Sequence, residues 1–392
     1  MRILNFMVFL FLINMASAQN YYGYLSDNYS GLHGVTLNPA NLTGSKLRTE
    51  VNLASVNASV NNDYFYTDFG SLFEGSDIGD DQFNAAENNN FAISADIMGP
   101  SFMFNLSPKH SIGVITRARA FFNINEIKGE LFDAFEDDFD SANDFSLNED
   151  EFTSTLHGWA EIGVAYARTL INNEQHYLKG GVTLKYLRGL GNAYAKGTNL
   201  SVDYDADGFT PEVGTITTTG LIEYGSSQGI SQNEDDSDFE FESDASGYGA
   251  DIGFIYEWRP APSDLDDESR SNYKLKLGVS ITDIGSIDYE GAEANTYDIT
   301  NSIDENTFES EEDFEDKLNN LYTRIATEDF TKVKLPTALH ITADYNLDSQ
   351  FFINLRSDLS LRKANELNTN KIDNAVVVTP RFERKWFSFY LP

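Results

Sequence analysis

The sequence predicts an all-β protein: an antiparallel, up-and-down transmembrane β-barrel with an N-terminal plug and long acidic external loops. Three observations lead to this fold class: an export signal at the start of the chain, repeated segments of alternating polarity, and connections that alternate between short and long. Outer-membrane barrels combine short periplasmic turns with longer external loops. We expect a truncated barrel in the chain as given.

Composition narrows the classes of function. The 392 residues include 62 Asp and Glu against 27 Lys and Arg, which gives a formal net charge of −35. This charge argues against a nucleic-acid partner, because such proteins carry basic surfaces that neutralise phosphates. The sequence has no cysteine, so disulfides, thiolate zinc sites and cysteine nucleophiles are excluded. The aromatic content of 13% is too high for a disordered acidic chain.

Residues 1–18 have the pattern of a secretory signal peptide. Arg2 precedes an apolar run from Ile3 to Ile13, and Ala16 and Ala18 provide small residues for cleavage. The run is far shorter than the ~20 residues that a spanning helix needs. We therefore expect an exported protein in which residues 19–46 form the plug and residues 47–392 form an incomplete barrel.

The strands are predicted from alternation with a period of two. In Phe351–Leu361, apolar side chains occupy the odd positions, while Asn354, Arg356 and Asp358 occupy even ones. The runs are roughly 9 to 15 residues long, which matches tilted membrane strands better than the average soluble strand of about 5–6. We expect eleven strands, at Arg48–Ser59, Phe91–Asn105, Ser111–Asn123, Thr153–Thr169, Tyr177–Gly189, Gly247–Trp258, Asn272–Ile287, Val333–Tyr345, Phe351–Arg362, Ile372–Phe382 and Trp386–Leu391. Because single-chain bacterial barrels have even strand numbers, we expect further strands beyond Pro392.

The connections between these strands alternate in length. Residues 125–153 form a long acidic connection, whereas residues 107–110 form a short one. Long loops are expected outside the cell and short turns in the periplasm. The longest connection, residues 191–244, fits this order only if residues 199–203 pair with residues 215–224 in an external hairpin.

Two sets of side chains are assigned by their positions on the strands. We expect Trp159, Trp258 and Trp386 at the membrane interface, where amphipathic rings prefer to lie. Charged residues on the inner faces are expected to line the lumen, namely Arg117, Arg119, Glu161, Lys274, Lys276, Asp344, Arg356 and Asp358. Their mixed signs favour pairing inside the barrel, and a polar substrate path is the alternative.

Five segments carry a resemblance to known families. Asn38-Pro39-Ala40-Asn41 is similar to an element near the N-terminus of many Bacteroidota outer-membrane barrels, including fatty-acid-transporter-like and type 9 secretion-associated barrels. Gly99–Phe104, His157–Glu161, Asp203–Gly208 and Lys385–Tyr390 resemble an uncharacterised flavobacterial barrel family. The resemblance implies an outer-membrane barrel that has about 14 strands when complete and is often followed by an OmpA-like domain. It implies no catalytic residues.

One motif has the composition of a calcium loop. Asp203, Asp205 and Asp207 alternate before Gly208, as in the opening of an EF-hand-type loop. Position twelve of such a loop would be Gly214 instead of the usual Glu. The alternative is an acidic hairpin tip, for which an Asp-Gly turn is itself typical.

These patterns predict a non-enzymatic outer-membrane protein of a Gram-negative bacterium with a structural, envelope or transport role. The sequence contains no HExxH or P-loop motif, and apart from the Ca²⁺ that the Asp203–Gly208 motif would bind it indicates no cofactor. The expected partners are outer-membrane lipids and envelope or secretion-system proteins, with no nucleic acid. Three alternatives stay open. The first is a transporter of hydrophobic small molecules, which would need an apolar pocket beneath the plug, the second is a secreted β-rich adhesin, and the third is an esterase.

Overall fold

The structure is a computed structural model. It describes residues 21–45, 48–64, 84–129, 144–210, 213–227, 245–260, 273–308, 314–348, 350–363, 366–384 and 387–392. The predicted signal peptide, the side chain of Trp386 and the acidic run in residues 228–244 lie outside these residues.

All sixteen strands of the described residues belong to one antiparallel sheet, which makes the protein all-β. Their bounds are β1 Thr49–Asn52, β2 Ser55–Asn62, β3 Asn89–Met98, β4 Ser101–Ser107, β5 His110–Ile127, β6 Phe145–Asn172, β7 His176–Thr210, β8 Val213–Ser226, β9 Ser246–Trp258, β10 Leu275–Asp298, β11 Asn301–Asp304, β12 Thr323–Lys334, β13 Ala338–Asp348, β14 Phe351–Ser360, β15 Ala375–Arg384 and β16 Phe387–Tyr390.

The strands follow each other around the sheet in nearly sequential order. The lower part runs from β1 and β2 at one edge through β3 to β7, then β9, β10, β13, β14 and β15, to β16 at the other edge. Each pair in this series is antiparallel, as expected for up-and-down connections. Each of the eleven strands predicted from the alternation therefore overlaps one or two strands of the structure.

Side chains alternate between two very different environments along these strands. On β6, Ile162 and Val164 are exposed at even positions, whereas Trp159 and Glu161 are buried at the odd positions that precede them. β14 repeats this pattern, with apolar odd positions exposed and polar even positions buried. The face that solvent would contact is thus the apolar one, and the enclosed face is the polar one, which reverses the usual arrangement of a soluble sheet.

The sheet continues beyond this lower part into a second pairing zone. β7 extends to Thr210 and pairs with β8, so that Val202 lies opposite Thr218. The hairpin predicted from the connection lengths is therefore present as a pairing. The upper half of β10 pairs with both β8 and β12.

Strands of the upper zone are longer than the sequence predicts. The predicted strand Tyr177–Gly189 covers only the first part of β7, and β12 was largely unpredicted. The reason is that both faces of these extensions carry many polar residues, so the alternation that marks a half-buried strand is lost.

Four helices and one 3₁₀ turn complete the described residues. They are α1 Tyr22–Leu25, α2 Gly31–Leu37, the 3₁₀ turn Pro39–Leu42, α3 Glu305–Phe308 and α4 Phe314–Leu321. Leu318 of α4 packs with Tyr297 and Ile299 in a small apolar cluster of the upper zone. Within the described parts of the chain, none of the helices has the length and apolar character to cross a membrane.

The N-terminal segment, residues 21–45, packs against the inner face of the sheet. Leu32, Val35 and Leu42 form an apolar cluster with side chains of β3 to β6. The Asn38 side-chain amide donates to the carbonyls of Phe254 and Val279, each at 3.2 Å. This segment therefore fills part of the enclosed space by pairing its own polar groups with the strands.

The sheet is strongly curved. Arg119 Nη1 on β5 lies 2.8 Å from Asp283 Oδ2 on β10, although β6, β7 and β9 separate these strands along the sheet. The N-terminal segment also touches both edges: the Tyr21 hydroxyl donates to the Val56 carbonyl on β2, and Gly23 packs directly on the Tyr390 ring of β16. The two edges of the sheet are thus linked through one segment.

Candidate functional site

The enclosed face of the sheet carries a connected set of ion pairs. Arg117 of β5 pairs with Asp96 of β3, and its Nη1 lies 3.2 Å from Glu161 Oε1 on β6. Arg119 continues the set to Asp283 at 2.8 Å. Asp96, Arg117, Arg119 and Glu161 come from positions that the alternation of their strands directs inward, whereas Asp283 lies at an irregularity of β10.

Lys185 of β7 connects this set to two further carboxylates. Its Nζ lies 2.8 Å from Asp251 Oδ1 on β9 and 2.7 Å from Asp283 Oδ1. The Glu161 carboxylate is 3.9 Å away. All of these groups are buried, so their charges are stable only because each one has opposite charges beside it.

A second chain of polar contacts runs along β10, β13 and β14. His340 Nδ1 lies 2.6 Å from Asp358 Oδ1, and His340 Nε2 lies 3.0 Å from Thr282 Oγ1. Because a carboxylate only accepts, Nδ1 carries the proton, and in the neutral ring Nε2 accepts from the Thr282 hydroxyl. Arg356 Nε donates to the same Asp358 oxygen at 2.9 Å.

This second chain has the connectivity of a hydroxyl, a base and an orienting acid, as in some hydrolases. Here all three groups are buried, and Arg356 shares the acid with His340. The contacts therefore fix the side chains of three neighbouring strands in place on the inner wall.

A cavity of about 140 Å³ lies between the N-terminal segment and this wall. It is bordered by residues of β2, β3, β5, β10, β13 and β14 and by the segment that precedes β15. The charged side chains that line it are Asp96, Arg117, Arg119, Asp283, Arg356, Asp358, Lys371 and Asp373. Arg119 and His340 thus face one common space although they belong to opposite parts of the sheet.

Burial shifts the pKa values of three titratable groups around the cavity. Burial lowers the pKa of His33 in α2, which keeps its ring neutral near pH 7. In the segment before β15, burial lowers the pKa of Lys371 and raises the pKa of Asp373. Lys371 and Asp373 are close enough that the charge of each favours the ionised form of the other.

Most of the charged residues predicted to face inward do so. Arg117, Arg119, Glu161, Asp344, Arg356 and Asp358 lie on the enclosed face, and Lys276 reaches the N-terminal segment, where its Nζ lies 3.2 Å from Asn28 Oδ1. Asp344 pairs with Arg381 of β15 at 2.9 Å.

Lys274 does not face inward as predicted from the sequence. Its Nζ sits 4.7 Å from the ring centroid of the exposed Tyr345 and 3.3 Å from the Leu347 carbonyl, so it lies on the outer side. The alternation breaks just before β10, because Tyr273 instead turns inward and bonds to Asp344. A strict period of two from Tyr273 onward therefore assigned Lys274 to the wrong face.

The tryptophans divide between two environments. Trp258, at the end of β9, is 40% exposed on the outer face. Trp159 is a correction to the predicted interface position, because it is fully buried and stacks on Phe121 at 5.5 Å between ring centroids. Its indole Nε1 donates to Glu161 at 3.1 Å, which makes it part of the interior. Trp386 lies outside the described residues.

The predicted calcium motif lies on a strand, not in a loop. Asp203 and Asp205 belong to β7 and pair with Thr217 and Thr215 of β8. An extended chain spaces alternate residues too widely for their carboxylates to converge as they do in an EF-hand loop. Within the described residues, no group of three or more acidic or histidine side chains is arranged to hold a metal ion.

The sequence reasoning missed several central members of the ion-pair set, above all Asp283 and Lys185. Lys185 and Asp251 occupy inward positions of predicted strands, so the alternation could have revealed them. Asp283 lies at an irregularity of β10, where the backbone has a φ of 56° and the register with β9 shifts. No periodic pattern marks such a position.

Comparison with known proteins gives a family without an assigned activity. A model of a family of unknown function, DUF5723, matches residues 39–392. The chain belongs to the DUF5723 family. The match covers the 3₁₀ turn and every strand of this DUF5723 member, so the ion-pair set and the cavity wall lie inside the family region. No curated protein matches the chain.

Proposed function

We propose that this DUF5723 member is a non-enzymatic β-barrel of the outer membrane of a Gram-negative bacterium, with a structural, envelope or transport role. The resemblance of its motifs to Bacteroidota barrels supports this reading. Lipids would be its immediate partners, and envelope or secretion-system proteins would contact the long acidic connections.

The observation that carries the proposal is the inverted polarity of the sheet. Outward positions of the lower strands are large and apolar and are exposed, for example Leu184, Val279, Ile341 and Leu355. Inward positions carry the buried ion pairs. Contiguous exposed apolar surface of this kind is unfavourable in water but suits the hydrocarbon of a bilayer.

The height of the apolar surface also fits a membrane. On β9 and β7, exposed aromatic residues pair at two levels: Trp258 opposite His176, and Tyr248 opposite Tyr186. The levels are ten residues apart on both strands, which corresponds to roughly 33 Å along a strand at about 3.3 Å per residue. A strand tilt of about 40° reduces this to about 25 Å, the usual height of the apolar band.

The residues that line the interior help to decide between transport of hydrophobic molecules and the other proposed roles. A transporter of hydrophobic molecules would need an apolar pocket beneath the N-terminal segment. The cavity beside that segment is instead lined by charged groups, and the apolar cluster of Leu32, Val35 and Leu42 is closely packed. These features favour a structural role or transport of polar molecules over the fatty-acid-transporter-like alternative.

A pair of substitutions tests the membrane placement. Val182→Arg changes a residue near the middle of the proposed band that is 37% exposed, whereas Ile325→Arg changes a residue of β12 in the upper zone that is 54% exposed. In a bilayer, Val182→Arg should destabilise the protein by about 2–4 kcal/mol, and Ile325→Arg by about 0–1 kcal/mol. Unfolding by guanidinium in lipid vesicles measures both.

Cell fractionation provides the complementary measurement. The full-length protein should sediment with outer membranes and resist extraction with alkaline carbonate. Recovery of the protein from the soluble extracellular fraction, together with equal and small effects of the two arginine substitutions, would favour the secreted adhesin and refute the barrel proposal.

A further inference from the structure

We propose that the outer face of the sheet binds one phospholipid beside the turn between β13 and β14. Lys274 and Arg384 flank this turn and would hold the phosphate of the headgroup, while exposed apolar side chains next to the turn would hold the acyl chains. The inference rests on the proposed membrane function, and it adds a class of lipid and a place on the sheet where that lipid binds.

The first argument is that both cations lie at one turn. Lys274 Nζ lies 3.3 Å from the Leu347 carbonyl oxygen, and Arg384 Nη2 lies 3.0 Å from Gln350 Oε1. The last residue of β13 pairs with the first residue of β14, so the turn is tight. Because paired strands lie about 4.8 Å apart, Leu347 and Gln350 are close neighbours. A single headgroup that lies against the turn therefore has one cation on each side.

The second argument is that no carboxylate within the described part of the chain neutralises either cation. The Lys274 ammonium lies 4.7 Å from the Tyr345 ring centroid, and the Arg384 guanidinium lies 5.3 Å from that of Phe382. Lysine has three N–H donors and arginine has five, so both side chains keep donors for a phosphate. The turn contributes one acid, Asp348, so that two cations and one acid give this patch a net charge of +1 on a chain of −35.

The third argument is the level at which the cations lie. The Lys274 backbone NH donates to the Trp258 carbonyl at 2.8 Å, so Lys274 is level with the lower aromatic residues of the proposed apolar band. Long cationic side chains at the border of such a band extend to the depth of the headgroups, where the lipid phosphates are the available anions.

The fourth argument is the apolar surface that continues from the turn. Phe351 is 52% exposed, and its ring centroid lies 5.0 Å from that of Phe382. Ile353 and Leu355 follow on the same face of β14 and are also exposed. The acyl chains of a lipid whose phosphate lies at the turn would run along this strip. A soluble phosphate gains nothing from the strip, so the surface favours a lipid.

Native mass spectrometry of the full-length protein in non-ionic detergent micelles tests the proposal. Dioleoylphosphatidylglycerol is the probe, dioleoylglycerol has the same chains without the phosphate, and glycerol phosphate has the headgroup without the chains. We expect one phosphatidylglycerol to bind at least about tenfold tighter than dioleoylglycerol, because each cation at a lipid surface contributes about fivefold. Glycerol phosphate should not bind with a Kd below about 1 mM.

Three double variants locate the site. Lys274→Gln with Arg384→Gln should lower the affinity for phosphatidylglycerol at least about tenfold and leave that for dioleoylglycerol unchanged. Lys274→Arg with Arg384→Lys keeps both charges and should bind as the wild type does. Lys332→Gln with Arg324→Gln is the matched control, because it removes one lysine and one arginine from exposed positions of β12 in the upper zone. It should also bind as the wild type does.

Three results would overturn the proposal. They are equal affinities for phosphatidylglycerol and dioleoylglycerol, unchanged binding by the Lys274 and Arg384 glutamine variant, and an equal loss in the β12 control. If the double variant does not fold, Arg384→Gln alone replaces it, with an expected loss of about fivefold.

Two further outcomes separate this inference from others. Tight binding of glycerol phosphate that the glutamine variant loses would assign the site to a soluble phosphate and refute the lipid. A protein that does not enter micelles contradicts the membrane proposal itself, whereas a micellar protein whose affinities ignore the substitutions contradicts only the lipid site.

Discussion

At the scale of single residues, Asp283 connects several buried polar groups of the interior. It accepts from Arg119 and Lys185, its backbone NH donates to Asp251 at 2.7 Å, and its carbonyl accepts from the Thr337 hydroxyl at 2.7 Å. Its carboxylate balances two buried cations that come from different parts of the sheet. Removing it leaves both without their closest counter-charge.

Asp283→Ala should therefore destabilise the protein by roughly 3–5 kcal/mol, the usual effect of breaking a buried ion pair. Asp288→Ala, five residues along the same strand, removes an exposed carboxylate 3.7 Å from Lys332 and should change stability by no more than about 0.5 kcal/mol. The shift in guanidinium midpoint, followed by tryptophan fluorescence, measures both. Similar midpoints for the two variants would show that the interior ion pairs do not contribute as inferred.

At the scale of elements, the lower strands could be predicted from sequence because they separate two environments. The alternation on β14 predicted its first residue, Phe351, and the inward positions of Arg356 and Asp358, and it placed the end of the strand two residues too late, at Arg362. The extensions of β6, β7 and β10 could not be predicted in this way, because their stability comes from pairing in the upper zone and not from one apolar face. The fold class could therefore be predicted from the sequence, whereas the pairing of Arg119 with Asp283 could not, because the curvature of the sheet brings these two residues together.

The docking of the 3₁₀ turn on β7 gives a prediction at this scale. A Cβ at Gly181 would overlap the Pro39 carbonyl, so Gly181→Val should push the turn away from the sheet. Chymotrypsin should then cleave residues 21–45, which contain several tyrosines, much faster than in the wild type.

Gly180→Val is the matched control for this experiment. A Cβ at Gly180 would lie 3.0 Å from the Phe254 ring, on the opposite face of the same strand. It should leave the cleavage rate of residues 21–45 unchanged. Equal protection of the N-terminal segment in both variants would mean that the turn does not depend on this close approach.

At the scale of the whole molecule, the two described tryptophans report on orientation. Trp258 is exposed on the outer face, and Trp159 is fully enclosed. In vesicles that contain lipids brominated near the headgroup, a protein whose only tryptophan is Trp258 should be strongly quenched. A protein whose only tryptophan is Trp159 should not be. Equal quenching of both would contradict the assignment of the inner and outer faces.

The contact of the N-terminal segment with both sheet edges has a consequence for the order of folding. Asn28 donates to Glu383 of β15 at 3.0 Å, across a sequence separation of 355 residues. Contacts between such distant parts of a chain are the slowest to form, because the intervening loop must first be ordered. The segment that leaves the ribosome early therefore waits for its last partners until β15 and β16 have been synthesised, and its docking is a late event of assembly.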